Sequence, residues 1–229
     1  MKARYAIYYA PLGSTELWRF GSGVLGYDAE TGKEVPFPPG GPFAGPDWRE
    51  LTAEPRRYGF HGTLKAPFRL KDGATEECLL AGLRRFAGEQ SSFEVPALAV
   101  ALLGSFVALV PDGPEPRLDA LAAECVRSLD GFREPLSAAD RERRLKAPLS
   151  ERQVRHLDEW GYPHVFEDFR FHMTLTGSLP PEKREPVRAA LAARYAELAP
   201  GLQVDALTVF RQDDSDGRFR ILTRCPFGR

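Results

Sequence analysis

One succession of secondary-structure elements is predicted twice in this chain of 229 residues, and it limits the folds that the chain can adopt. A strand, a helix and a two-stranded hairpin follow one another in residues 58–129 and again in residues 169–225. The helix of the first unit has Leu79, Leu83 and Phe86 on one face, as a helix packed on a sheet requires. The duplication predicts an α+β fold of two lobes related by a pseudo-two-fold axis, with two antiparallel sheets lining a central cleft and helices outside.

The remaining segments fit a single bilobal domain over residues 1–229. Residues 3–10 are rich in β-forming side chains and predict a strand, and a short helix capped by Ser14 follows. Residues 27–57 predict an irregular segment, either a lid beside a site or a surface wrap. Residues 131–165 interrupt the repeated pattern and are interpreted as a connector or insertion, with a helix predicted from Ser150 to Trp160.

Composition argues against several classes of protein. The 31 Lys and Arg residues nearly balance the 32 Asp and Glu residues, so no overall positive field recruits nucleic acid or anionic membrane. Three widely spaced cysteines without a CxxC pair indicate neither a disulfide framework nor a zinc knuckle. We find no signal-peptide pattern and no apolar run of about 18 residues, so we expect a cytoplasmic protein, monomeric and without membrane contact.

The predicted first strand of each unit contains a His-x-Thr motif, formed by His61 and Thr63 and by His172 and Thr174. Side chains alternate along a strand, so each histidine and its threonine point to the same side. A lone motif would mean little, because polar residues are common on the solvent side of half-buried strands. Two motifs at equivalent positions of a duplication argue against coincidence and indicate a paired site.

Further polar side chains are predicted beside these motifs. The same alternation places Lys65 on the first polar face, and Arg170 and Thr176 on the second. On the N-terminal strand an aromatic ring is positioned to stack on a base, although the sequence leaves open which side of that strand faces the cleft. The candidates for substrate binding are therefore Lys65, Arg170, Thr176 and Tyr8.

The paired residues suit the cleavage of a phosphodiester. A neutral imidazole can take a proton from water or a ribose hydroxyl while a protonated one gives a proton to the leaving oxygen, and a pKa of about 6.5 suits both tasks. The threonine hydroxyls, with Lys65 or Arg170, could stabilise the non-bridging oxygens. This scheme needs neither a metal ion nor another cofactor.

Both motif regions resemble the signatures of the 2H phosphoesterase superfamily, which are carried here by YGFHGTLKAPFRL at 58–70 and FRFHMTLTG at 169–177. The similarity is greatest to the uncharacterised DUF1045-like branch associated with phosphonate-metabolism operons, and RYAIYYAP at 4–11 extends it to nearly the whole chain. The resemblance implies the bilobal fold of RNA ligase-like cyclic phosphodiesterases, with catalysis by His61, Thr63, His172 and Thr174.

The resemblance also implies a small-molecule substrate, namely a cyclic or linear phosphodiester of a ribose-type compound or nucleotide, in phosphonate metabolism. Short RNA ends stay open as an alternative substrate. Which histidine is the acid and which the base is not decided, because the two motifs are nearly symmetric.

Two other classes of function remain open from the residues alone. One is a nucleotide-binding module without catalysis, which would keep the cleft but hold the histidines too far apart. The other is a metal-dependent hydrolase in which His156 and His164 join His61 and His172, although no metal-binding spacing connects them.

One basic cluster is set aside at this stage. Acidic residues interleave it and no aromatic platform accompanies it, so it predicts a solvated helix face. The cluster consists of Arg141, Arg143, Arg144 and Lys146. No GxSxG, GxGxxG or Walker-type sequence occurs, which argues against those forms of acyl-transfer and nucleotide-binding sites.

Overall fold

The computed structural model describes residues 2–228, which contain eleven strands and eight α-helices. The strands are β1 (Arg4–Tyr9), β2 (Tyr27–Asp28), β3 (Lys33–Glu34), β4 (Gly62–Arg69), β5 (Phe93–Val95), β6 (Leu98–Leu103), β7 (Phe106–Pro111), β8 (Met173–Thr174), β9 (Leu202–Val204), β10 (Ala206–Gln212) and β11 (Arg220–Pro226). The helices are α1 (Glu16–Leu25), α2 (Trp48–Leu51), α3 (Ala53–Arg56), α4 (Glu76–Gly88), α5 (Pro116–Leu129), α6 (Ala138–Leu145), α7 (Glu151–Trp160) and α8 (Pro181–Ala196).

The α+β fold class predicted from the sequence is confirmed. Seven strands form an antiparallel sheet in the order β11-β10-β1-β4-β8-β7-β6, and two further pairs, β2-β3 and β5-β9, stand beside it. One half of the sheet consists of β11, β10, β1 and β4, and the other half consists of β8, β7 and β6. The two halves meet at a single residue pair, Gly62 opposite Met173. The two predicted sheets are thus two halves of one sheet, joined at a seam of a single residue pair.

The two sequence repeats, 58–129 and 169–225, do not correspond to separate halves of this sheet. Strand β4 of the first repeat lies with the β10-β11 hairpin of the second, and β8 of the second lies with the β6-β7 hairpin of the first. Each half of the sheet therefore combines the first strand of one repeat with the hairpin of the other repeat. This exchange places the two His-x-Thr motifs on neighbouring strands at the seam.

Three long helices, α4, α5 and α8, pack on the strands of the sheet. Helix α5 packs on β4, α4 packs on β10 and β11, and α8 packs on β6 and β7. Ile7, Leu64, Leu109 and Val209 are almost completely buried in the resulting core. Burial of such side chains, at roughly 1.5–3 kcal/mol each, provides much of the stability of this architecture.

Three local predictions need correction. Thr15, and not Ser14, caps α1, because its side chain accepts from the amide of Trp18. The predicted strand 169–179 shortens to β8, because the amides of Leu175 and Thr176 both donate to the carbonyl of Val107 and interrupt regular pairing. Residues 27–57 are more ordered than expected and contain two strands, a 3-10 helix and two short helices.

The connector has a defined structure of its own. The predicted helix appears as α7, where Ser150 and Gln153 form a reciprocal capping box that satisfies backbone N–H groups at the helix start. Arg152 of α7 makes two hydrogen bonds to Asp168, at 2.7 and 2.9 Å, and so links the helix to the segment before the second motif. None of the helices in residues 2–228 has the length and apolar character needed to cross a membrane.

The seam predicts a stringent requirement for glycine at position 62. A Cβ there would lie 2.4 Å from the ring of Phe171, so Gly62→Ala forces the ring or the strand to move. We expect a loss of about 1–3 kcal/mol in the free energy of unfolding, measured by urea denaturation. Gly23→Ala is the control, since its added Cβ meets no atom within 4 Å, and it should be neutral or stabilising. Equal effects of the two substitutions would contradict the packing of the seam.

Candidate active site

Both halves of the sheet contribute to one cavity of about 420 Å³. His61 and Thr63 line it from the β4 side, and Thr174 and Thr176 line it from the β8 side. Its wall continues into the segment before β4, through Glu54, Pro55 and Tyr58. The C-terminal end of the 27–57 segment therefore lies at the cavity.

The His61 imidazole is fixed at both nitrogens. Its Nδ1 lies 2.9 Å from the carbonyl oxygen of Gly59, and its Nε2 lies 3.2 Å from Oγ1 of Thr63. Because a carbonyl only accepts, Nδ1 carries a proton and Nε2 of the neutral ring is an acceptor. Gly59 has a φ of +76°, a conformation that favours glycine and presents its carbonyl to the ring.

The His172 imidazole is held in the same way. Its Nδ1 lies 2.8 Å from the carbonyl oxygen of Arg170, again two residues before the histidine. The ring centroid is 5.6 Å from that of Phe106, which lines the cavity. Each motif therefore uses a backbone carbonyl to fix the tautomer in which Nε2 faces away from the tether.

The two histidines differ in their electrostatic surroundings. Burial lowers the pKa of His61 to about 4. The hydrogen bond that His61 donates to the Gly59 carbonyl opposes this effect, and the charge of the nearby His172 adds to it. Burial also lowers the pKa of His172, and the positive charges of Arg170 and His164 lower it further. The hydrogen bond from His172 to the backbone carbonyl of Arg170 has the opposite effect. At neutral pH the free site therefore holds His61 as an unprotonated base.

Tyr8, a predicted substrate-binding residue, lies against His61 on the cleft side of β1. The two rings stack with centroids 3.7 Å apart and an interplanar angle of 21°. Tyr8 is almost completely buried, yet it lines the cavity beside the histidine. The stacked ring restricts rotation of the imidazole and excludes water from one of its faces.

Lys65 does not lie with His61 and Thr63, contrary to prediction. The pairing of β1 with β4 is irregular, so that Tyr8 lies opposite Thr63 whereas the next residue back, Ile7, lies opposite Lys65. This bulge breaks the alternation and turns Lys65 towards α5, where its Nζ donates to Val126 and to Asp130 at 3.1 Å. Burial lowers the pKa of Lys65, and Asp130 opposes that effect.

Arg170 and Thr176 have different positions from those predicted. The Arg170 side chain is exposed and borders a separate depression near Phe169 and Asp119, so only its carbonyl serves the motif. Thr176 lines the cavity but is fully buried. Its hydroxyl accepts from the Val107 amide and donates to the Gly177 carbonyl, which gives it a structural role at the end of β8.

Sequence reasoning missed several residues of the cavity wall. Ser105 and Ser178 lie on the β8 side with their hydroxyl oxygens 2.9 Å apart. Arg4, Arg144 and Tyr162 lie on the opposite side. Arg144 belongs to the basic cluster that was interpreted as a solvated helix face, and this interpretation is wrong for Arg144, because α6 turns that residue towards the cavity.

The connector histidines do not line the cavity, although His164 packs against Tyr162 of its wall. His156 faces Glu167 and Asp168 at 3.7 and 3.5 Å, and His164 packs edge-on against Tyr162. Over residues 2–228, no three His, Cys, Asp or Glu side chains gather in a way that could hold a metal ion.

Comparison with known proteins places the chain in a family. A family model described as "Protein of unknown function (DUF1045)" matches residues 63–220. "Ribose 1,5-bisphosphate phosphokinase PhnN" of Janthinobacterium sp. (strain Marseille) is 37% identical over 231 residues, covering 98% of this chain and 51% of the relative. The protein of the same name from Laribacter hongkongensis (strain HLHK9) is 36% identical over 218 residues, covering 95% and 50%.

The chain thus spans about half the length of these curated relatives. Among solved structures, E. coli LigT complexed with NADP+ aligns over 100% of this chain and 99% of its own, at 15% identity and a TM-score of 0.46. A likeness at this level assigns no activity. The match over residues 63–220 confirms the resemblance to the DUF1045 branch, and the chain belongs to the DUF1045 family.

Proposed function

We propose that this chain is a metal-independent phosphodiesterase that hydrolyses a cyclic or linear phosphodiester of a ribose-type small molecule or nucleotide. One observation carries the proposal: two His-x-Thr motifs, each with its imidazole tethered through Nδ1 to the carbonyl two residues earlier, meet at the seam of the sheet. His61, Thr63 and Thr174 line one cavity, and the His172 ring lies 5.6 Å from that of Phe106 in the cavity wall. An acid and a base held on either side of a phosphate are what in-line displacement at phosphorus requires.

The different burial of the histidines supports a division of labour. In this scheme Nε2 of His61 takes the proton of the attacking water, since a pKa of about 4 keeps this ring neutral. The bond from phosphorus to the leaving oxygen breaks as Nε2–H of His172 delivers a proton to that oxygen. A bound phosphodiester anion raises the pKa of His172 and so favours its protonated form. The hydroxyls of Thr63 and Thr174 donate to the non-bridging oxygens.

The names of the relatives support a ribose phosphate as the substrate class and raise a second candidate, a ribose 1,5-bisphosphate kinase. The present chain matches only about half of each relative and has no Walker-type phosphate loop. It therefore lacks the loop with which many kinases hold ATP. We assign the phosphodiesterase step to this chain, within the phosphonate metabolism that the family resemblance implies, and as a cytoplasmic monomer.

Two alternatives make different predictions. A metal-dependent hydrolase would need ligands from His156 or His164, yet these side chains pack with connector residues, against Phe166 and Tyr162. A nucleotide-binding module without catalysis would bind ligand and leave it unchanged. Turnover in the presence of a chelator separates the proposal from both.

The first test is hydrolysis of ribose cyclic phosphates and 2′,3′-cyclic nucleotides in the presence of EDTA. We expect turnover of at least one of them, and a loss of about 100-fold or more in kcat/KM for His61→Ala and for His172→Ala, because each removes a proton-transfer group. His156→Gln serves as a matched control and should retain activity. Loss of turnover with EDTA, or a defect in His156→Gln equal to that of the motif variants, would favour the metal-dependent hydrolase.

The second test is titration of the imidazoles by nitrogen-15 NMR, with His61→Gln and His172→Gln to assign the signals. We expect His61 to titrate near pH 4 with its neutral ring protonated at Nδ1, and His172 to titrate below 6.5. Both histidines have a lower pKa in the folded protein than in the unfolded chain, so protonation favours unfolding. The free energy of unfolding is therefore highest above about pH 6.5 and falls as the pH is lowered towards 4. Two unshifted titrations near 6.5 would show that neither ring is desolvated.

A further inference from the structure

A second cavity, of about 510 Å³, adjoins the first. We call it the arginine cavity. The two cavities share the side chains of Arg4, Tyr58, Pro67 and Arg144 as a common wall. The two cavities are therefore neighbours, and Arg4 and Arg144 face both the space beside His61 and the arginine cavity.

The charge of the arginine cavity is strongly positive. Two carboxylates, Glu134 and Asp140, line it together with six arginines, namely Arg4, Arg57, Arg69, Arg133, Arg143 and Arg144. This concentration is local, since the whole chain has a formal net charge of -1. A concave surface with an excess of guanidinium groups is suited to a multiply charged anion such as a phosphate monoester.

Three of these six arginines already pair with carboxylates of the protein. Asp140 pairs with Arg69 and with Arg143, and Asp130 pairs with Arg133 at 2.7 Å. Among residues 2–228, no carboxylate lies within salt-bridge distance of Arg4, Arg57 or Arg144. Two of these three, Arg4 and Arg144, are the arginines on the wall that the two cavities share.

Arg144 is the more unusual of the two. Its guanidinium lies 5.3 Å from the centre of the Tyr162 ring, and burial lowers its pKa. Its Nε is buried and has no hydrogen-bond partner within residues 2–228. A partly buried guanidinium without a carboxylate partner is costly, and an anion bound in the cavities that Arg144 lines would offset that cost.

Arg4 is held in place from behind. Its Nε donates to Oε1 of Gln212 at 2.6 Å, and its guanidinium lies 5.3 Å from the centre of the Phe219 ring. These contacts fix the group without neutralising its charge. A fixed guanidinium loses less conformational entropy when it binds an anion than a freely moving one.

We propose that the arginine cavity binds a phosphate monoester carried by the substrate, with Arg4 and Arg144 as its specificity-determining residues. The inference rests on the proposed function and deepens it. The substrate then has two phosphate groups, a diester that lies between the histidines and a monoester that reaches the shared wall. Helix α6 of the connector contributes to specificity, because it carries Arg144 to the cavity.

The test compares adenosine 2′,3′-cyclic phosphate with the same compound bearing a 5′-phosphate. We expect the 5′-phosphate to raise kcat/KM of the wild-type protein by about tenfold or more, the effect of a charge-assisted hydrogen bond. In Arg144→Ala and Arg4→Ala this ratio should fall below about threefold, with partial recovery in Arg144→Lys. Arg141→Ala is the matched control on the same helix, since Arg141 pairs with Asp158 and lines neither cavity, and it should keep the ratio.

The outcomes separate this inference from the proposed function. Turnover of both compounds without a preference, or a preference that survives in Arg144→Ala, would overturn the monoester subsite and leave the phosphodiesterase intact. A further contrary result is that inorganic phosphate accelerates turnover of the unphosphorylated compound while the 5′-phosphate gives no preference. That result would overturn the monoester subsite and indicate that the arginine cavity binds a free anion.

Failure to turn over either compound would count against the proposed function on these substrates, and the subsite is then tested by binding. Isothermal titration calorimetry with ribose 5-phosphate should show wild-type binding that Arg144→Ala weakens by about tenfold. Equal affinity, or no binding to the wild type, would overturn the subsite. Thermal unfolding of each variant verifies that loss of binding is not loss of fold.

Discussion

The arrangement of the site depends on the antiparallel pairing of Gly62 with Met173 at the seam of the sheet. These two residues are the central positions of the two His-x-Thr motifs, so their pairing brings the motifs side by side. The ring of Phe171 packs over Gly62, where a Cβ would collide with it. The exchange of hairpins between the repeats has the same effect, because it places β4 and β8 at the centre of one sheet.

A second constraint acts on the histidines themselves. In both motifs a carbonyl two residues earlier accepts from Nδ1, so the tautomer is set by the backbone and does not depend on a side chain elsewhere in the fold. The two rings nevertheless differ in their surroundings, and the stacked Tyr8 belongs to His61 alone. A symmetric pair of motifs thus gives an asymmetric pair of groups, which is what separate roles as acid and base require.

The sequence predicted the fold class and the pairing of the two His-x-Thr motifs, because period-two alternation and internal duplication can be read directly from the chain. It failed where tertiary structure overrode the local pattern. A bulge in the pairing of β1 with β4 turned Lys65 out of the cleft, and no feature of the sequence marks that bulge. Arg144 was missed because its charge pattern is that of a solvated helix, and only the packing of α6 brings it to the cavity.

In the proposed mechanism His61 and His172 act together on one phosphodiester. A double-mutant cycle in kcat/KM tests this cooperation, measured in the presence of EDTA on the best substrate, with His61→Ala, His172→Ala and the combined variant. We expect the combined variant to be about as impaired as the worse single variant, because groups that act as a unit are not additive. Losses that multiply, or a single variant with wild-type activity, would contradict it.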